Sequence, residues 1–262
     1  MPSLQSIGLF NNKLTGSIPT TIGTLTNLEF LDLEGNMLTG ELFFEEMLHV
    51  ANTLKSLRVS FNFLEGDITS SINNFEQLED FWAANNRITG SIPPQLCQLK
   101  NLSKCQKSYQ LLLIFNLVAD LIHDIGSLYL YKNNLSGGIP YCIGDLIKMK
   151  EMDISSNRQL GGMFPDSIGG MSALNKLHLG NLKLVGPIPS SIGQLHELNS
   201  FVVNRNSLTG TLPKEMSKLT NLGESCPKEF VCLLILYQNR LTDLVLSSLC
   251  YQLFFNLTTI TL

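Results

Sequence analysis

Phe81-Trp-Ala-Ala-Asn-Asn-Arg-Ile-Thr-Gly-Ser-Ile-Pro93 lies without a gap over Ile7-Gly-Leu-Phe-Asn-Asn-Lys-Leu-Thr-Gly-Ser-Ile-Pro19 and over Phe201-Val-Val-Asn-Arg-Asn-Ser-Leu-Thr-Gly-Thr-Leu-Pro213. All three follow LxLxxNxLxGxIP, with other apolar residues standing in for leucine. A stretch that recurs at fixed spacing is a unit unable to bury its apolar face alone, so the period is read before anything else. The asparagine of each unit falls at Asn12, Asn36, Asn62, Asn86, Asn133, Asn157, Asn206 and Asn239, and Leu182 stands where one more is due. The intervals, counting Leu182 and ending at Asn206, are 24, 26, 24, 47, 24, 25 and 24 residues. The 47-residue gap predicts a degenerate unit over 102–124, with Gln110 near its asparagine position. The 33 residues from Asn206 to Asn239 predict an insertion at about 223–231. The expectation is one domain over 1–262: about ten units of roughly 24 residues plus a terminal strand at Leu257, Ile260 and Leu262.

Within each unit the LxL core alternates with period two, as a strand does when one face is buried and the other solvated. One such strand per unit, stacked on its neighbours, makes a parallel sheet whose return segments coil right-handedly. The asparagine stands where the chain leaves the strand and turns inward. Its amide carries two donors and an acceptor, enough to satisfy loop N–H and C=O groups that would otherwise be orphaned. Leu182 cannot do this, and the loss predicts a cost of about 1–3 kcal/mol unless Asn181 substitutes in part. Pro19, Pro93, Pro140, Pro165, Pro189 and Pro213 follow a second short strand, where a missing N–H is tolerated.

Composition narrows the function. Of 262 residues, 44% are hydrophobic and 15% charged, and the net charge is −4, so a long core is affordable but the clustered Lys and Arg that a phosphate backbone demands are missing. No nucleic-acid partner is expected. The longest apolar run, Leu111 to Ile122, is broken by Asn116 and Asp120 and falls short of the roughly 20 residues of a membrane-spanning helix. Met1 to Gly8 shows no secretory leader. Both ends stop inside the repeat without a polar cap, which predicts a piece of a longer protein. Six cysteines form no CxxC pair, so no zinc site is expected. Cys97 with Cys105, and Cys226 with Cys232, are near enough in sequence to be bridged in an oxidising compartment; otherwise each is a small buried apolar residue.

The LxGxIPxxIGxL extension, intact as Leu14 to Leu25 and Leu184 to Leu195, resembles the plant-specific subclass of leucine-rich repeats. The resemblance covers nearly the whole chain. It implies an α/β repeat, a right-handed leucine-rich-repeat solenoid with a parallel β-sheet on its concave face and little regular helix. Proteins of that subclass are ectodomains of receptor-like kinases and receptor-like proteins, and polygalacturonase-inhibiting proteins. The resemblance therefore implies recognition of a protein or peptide ligand, or of a glycan, in cell-surface signalling or defence, with a possible co-receptor. Any kinase region would lie outside this chain.

In this architecture function sits on the solvent face of the sheet. The residues between the two inward strand positions include Asp32, Arg58, Trp82, Tyr129, Asp153 and His178; those just after include Phe10, Glu34 and Tyr131. The candidate ligand-binding residues are Arg58, Asp80, Trp82, Tyr129, Tyr131, Glu151, Asp153 and His178, because aromatic and arginine anchors inside a charged rim are the make-up of a protein hot spot. The competing reading is that strands favour aromatics for packing alone. Asn101, Asn134 and Asn256 head Asn-x-Ser/Thr triplets and are possible glycosylation sites.

No catalytic residue is expected. His49, His123, His178 and His196 occupy unrelated positions of their units and none adjoins a candidate nucleophile in sequence, and no P-loop, kinase or GxSxG motif is present. Asp32 and Asp153 share a face, but five units apart they are beyond a two-carboxylate mechanism. No cofactor or metal is implied. The favoured function is a cell-surface recognition scaffold; the alternatives are a secreted inhibitor of cell-wall-degrading enzymes and an intracellular scaffold.

Overall fold

The computed structural model describes residues 3–42, 44–99, 101–102, 126–224, 233–236, 238–241 and 259–261. The first strand, Ser6–Gly8, opens a sheet that continues through Phe30–Asp32, Ser56–Arg58, Asp80–Trp82, Ser127–Tyr129, Glu151–Asp153, Lys176–His178, Ser200–Val202, Leu233–Ile235 and Thr259–Thr261. Every neighbouring pair is parallel. From the second strand to the eighth the middle residue faces inward: Leu31, Leu57, Phe81, Leu128, Met152, Leu177 and Phe201 are all buried, in one continuous core. Burying one such side chain contributes about 1.5–3 kcal/mol, so the spine of the coil is hydrophobic in origin.

The return path is equally regular. Ser136–Gly138, Gln159–Met163, Lys183–Gly186, Ser207–Gly210 and Arg240–Leu241 form a second parallel sheet, and Thr15–Gly16 pairs with Met37–Leu38. Each expected proline then caps a short 3-10 turn; Pro189 precedes Ser190–Gln194, for example. The described residues contain one four-residue α-helix, Asn221–Glu224. Among them no helix is long and apolar enough to cross a membrane.

The asparagines form the ladder that the spacing predicts. Asn62 donates from Nδ2 to the carbonyls of Leu33 and Val59, at 3.0 and 3.1 Å, and its Oδ1 accepts the Leu38 N–H at 3.0 Å. Asn36, Asn86, Asn133, Asn157, Asn206 and Asn239 repeat the pattern, each tying its own turn to the one before. Asn12 bonds only to Leu9 and Phe10 of its own turn. The residue before each ladder position is left-handed, including Phe61 at φ 55° and Lys132 at φ 53°. A side chain there costs about 1–2 kcal/mol, which the ladder offsets.

The pairing of strands and of cysteines adds what spacing did not give. The strand Asp80–Trp82 pairs directly with Ser127–Tyr129, and Asn133 bonds to Ala83 and Ile88 of the turn before it. These two strands are neighbours in the sheet; residues 103–125 of the expected degenerate unit, Gln110 among them, lie outside the described residues. Cys97 is disulfide-bonded to Cys142, from the adjacent turn, and not to Cys105. Stacking brings Cα atoms 45 residues apart in sequence to 5.8 Å. Cys105, Cys226, Cys232, Cys250, Asn256 and His123 lie outside the described residues, as does most of the expected insertion at 223–231. The strands on either side of that insertion, Ser200–Val202 and Leu233–Ile235, pair directly.

Candidate functional site

Adjacent parallel strands are about 4.8 Å apart, so one large side chain per strand lies over its neighbours. The eight candidate residues are brought together in this way across five strands, but they do not all face solvent as expected. Asp80, Trp82 and Glu151 are buried. The Arg58 guanidinium lies 4.0 Å from the Trp82 ring centre, and the Tyr129 ring packs on the other side at 5.1 Å. Trp82 is thus covered by its neighbours and supports the face from beneath. Arg58, Tyr129, Tyr131, Asp153 and His178 remain partly exposed and make up the accessible strip.

Polar contacts fix that strip. Asp80 reaches Arg58 at 3.4 Å with Oδ2. The Tyr129 hydroxyl donates to Glu151 Oε2, and Lys176 binds Glu151 Oε1 at 2.7 Å. Burial, and then the Glu151 charge, push the Tyr129 hydroxyl far above the ordinary phenol range, so it stays a donor. Tyr131 lies beyond, edge-on to Tyr129 and to Phe61, with ring centres 6.4 Å away in both cases. Its hydroxyl too is raised, by burial and by Asp153 and Glu34. Reading strand columns missed Phe61, which belongs to the left-handed loop and meets Tyr131 from there.

His178 was expected to adjoin no candidate nucleophile in sequence. The stack nevertheless places its Nδ1 3.5 Å from Asp153 Oδ2 and its Nε2 2.8 Å from Ser200 Oγ, on three successive strands. Acyl transfer would also need free donors beside the nucleophile. The Ser200 N–H is committed to the Asn175 carbonyl and Ser200 is buried, so the array holds the imidazole in place. Asp32 and Glu34 occupy the strand ahead of Arg58. Burial raises both carboxyls above their ordinary values; Arg58 pulls them back in part. Among the described residues, no group of three or more His, Cys, Asp or Glu side chains is placed to hold a metal ion.

Comparison with known proteins agrees with the repeat. The Leucine Rich Repeat family model matches residues 3–25, 27–45 and 77–99. Receptor-like protein 18 of Arabidopsis thaliana is 32% identical over 182 residues, covering 70% of this chain and 16% of that protein. The chain spans about one sixth of the length of the curated relatives it matches first. Among solved structures, the leucine-rich-repeat ectodomain of the Arabidopsis thaliana receptor kinase GASSHO1/SCHENGEN3, in complex with CASPARIAN STRIP INTEGRITY FACTOR 2, is 31% identical. It superimposes with a TM-score of 0.72, covering 89% of this chain and 27% of that one. The plant peptide hormone receptor RGFR1, in complex with RGF2, is 30% identical with a TM-score of 0.65, covering 92% of this chain and 37% of that one. Repeat, ladder, second sheet and relatives agree: the chain belongs to the leucine-rich-repeat proteins, and its repeats are of the plant receptor-like ectodomain type.

Proposed function

We propose that this chain is a recognition segment of a cell-surface receptor-type ectodomain, and that its concave face binds an extended peptide carrying a cationic side chain. The observation that carries the reading is the accessible strip of Arg58, Tyr129, Tyr131, Asp153 and His178, held rigid from beneath by Asp80, Trp82 and Glu151. Preorganised aromatic anchors lose little entropy on binding, which is where affinity is gained. The cationic preference rests on Asp32 and Glu34, two carboxylates on the same face with no ion pair among the described residues and with their charge disfavoured by burial. A ligand ammonium or guanidinium would relieve that penalty. Related ectodomains solved with CASPARIAN STRIP INTEGRITY FACTOR 2 and with RGF2 support a peptide-sized ligand. The Cys97–Cys142 disulfide supports an extracellular setting, where such bonds persist. A co-receptor could then join the complex, and no kinase activity belongs to this segment.

The test is selection of a random peptide display library on the immobilised chain. The expected result is enrichment of peptides sharing a Lys or Arg near an aromatic residue, with affinity falling roughly ten-fold or more in Tyr131→Ser and in the Asp32→Asn, Glu34→Gln double variant. Enriched peptides that bind all three proteins equally would remove the concave face as the site.

A further inference from the structure

We propose that Asn134 carries an N-linked oligosaccharide and that Asn101 does not. Both head an Asn-x-Ser triplet, Asn134-Leu135-Ser136 and Asn101-Leu102-Ser103, so sequence cannot separate them. Their surroundings can. The Asn101 amide is spent on the fold: its Nδ2 donates to the Glu76 carbonyl of the preceding turn at 2.6 Å, and the residue is half-buried. A sugar on that nitrogen would have to occupy the space next to the carbonyl, or break the bond. Asn134 stands just after the ladder residue Asn133, and only its main chain is engaged, through its N–H to the Ile88 carbonyl at 2.9 Å. Its side chain is exposed and makes no hydrogen bond to the rest of the described chain. A glycan there costs the folded protein nothing.

A second, independent feature points to the same compartment. The turn bearing Asn134 is linked to the preceding turn by the disulfide between Cys97 and Cys142. Such bonds form and persist on the oxidising secretory route, which is also where N-glycans are attached. The position has a structural consequence. Asn134 occupies the column just past the ladder, shared by Met37, Phe63 and Arg87, and lies outside the ten-stranded sheet. Carbohydrate there covers the flank on which Met37 and Phe63 are exposed and leaves the strip from Arg58 to His178 open.

The experiment expresses the full chain behind a secretory leader in plant cells, with protein recovered from both medium and cell extract so that poor export hides nothing. Site-resolved mass spectrometry after peptide N-glycosidase treatment then reads occupancy at each triplet. The expected result is a glycan on most copies at Asn134 and on few or none at Asn101. Asn134→Gln and Ser136→Ala should each remove one glycan from the intact mass, while Ser136→Thr keeps it. An unmodified Asn134 in translocated protein overturns the proposal, as does equal occupancy of Asn101. Neither outcome bears on peptide binding, which is tested separately.

Discussion

The Asp80 carboxylate accepts the main-chain N–H of Gly126 through Oδ1 at 3.0 Å, and that of Ser127 at 3.4 Å. At equivalent positions of other turns these two donors meet a main-chain carbonyl: Glu79 and Asp80 both bond to the Lys55 carbonyl, and Lys150 and Glu151 both bond to that of Gly126. Here Gly126 is at φ 117°, and a side chain stands in for the backbone. Asp80 was expected to contact ligand. The structure gives it a different task, that of fixing the strand Ser127–Tyr129 in register.

Asp80→Ala should therefore destabilise the protein by about 2–4 kcal/mol, since it strands two buried N–H groups and the Arg58 charge together. Asp80→Asn, which keeps an acceptor oxygen, should cost less than half as much. Urea unfolding midpoints compare the two; equal midpoints would show that the carboxylate does not hold the strand.

Leu182 takes the ladder position without leaving an orphan. The turn before it has one extra residue between Asn157 and its proline, and the Leu160 N–H closes a local turn onto the Asn157 carbonyl at 3.0 Å. Asn181, the expected substitute, reaches only Ser156 Oγ, at 3.4 Å. The cost expected from sequence is thus cancelled by the insertion. Leu182→Asn should bring no gain and lose about 1–3 kcal/mol, because it buries an amide whose partner is already satisfied. Asn157→Leu, by contrast, should cost about 3 kcal/mol, because Asn157 is fully buried and serves Leu130, Leu135 and Ile154. Thermal unfolding of the two variants should separate them by several degrees.

Lys132 is exposed and left-handed at φ 53°, and its N–H bonds to the Ser155 carbonyl. Asparagine visits that conformation more readily than lysine, so Lys132→Asn should raise stability by roughly 0.5 kcal/mol. A melting temperature that falls would contradict the strain assigned to the loop.

Reduction of Cys97–Cys142 frees a 45-residue separation, and the chain-entropy account gives a loss of about 2–4 kcal/mol. Because the bond joins the 3-10 turns Pro94–Gln98 and Tyr141–Asp145, hydrogen exchange should rise first in 94–98 and 141–145. Uniform acceleration along the whole coil would rule out a local clamp.

Asp32 and Glu34 both titrate above their ordinary values of 3.8 and 4.5, chiefly because burial disfavours their charge. A carboxyl whose folded pKa is raised contributes stability in full below its unfolded value and loses it as pH climbs through the folded one. Stability contributed by this pair should accordingly decline as pH rises upward from about 4. The Asp32→Asn, Glu34→Gln variant should show a flatter pH profile by calorimetry, and an unchanged slope would place the titration elsewhere.

The primary structure determined the coil by itself. Leucines at a two-dozen-residue period and asparagines at a fixed offset from them permit only a stack, because each unit lacks the surface to bury its own apolar face. The ladder positions followed from the spacing of the asparagines, and the strand columns from period-two alternation. What needed the tertiary structure was everything else that passes between turns: that Asp80 accepts from the strand Ser127–Tyr129, that Trp82 lies beneath Arg58 and Tyr129, that Asp153, His178 and Ser200 meet, and that Cys97 finds Cys142. These contacts join residues 22 to 47 apart in sequence, and they depend on how many turns separate two units. A repeat of constant length fixes the geometry of each turn but cannot say which strands are neighbours across a long interval; only strand pairing decides that.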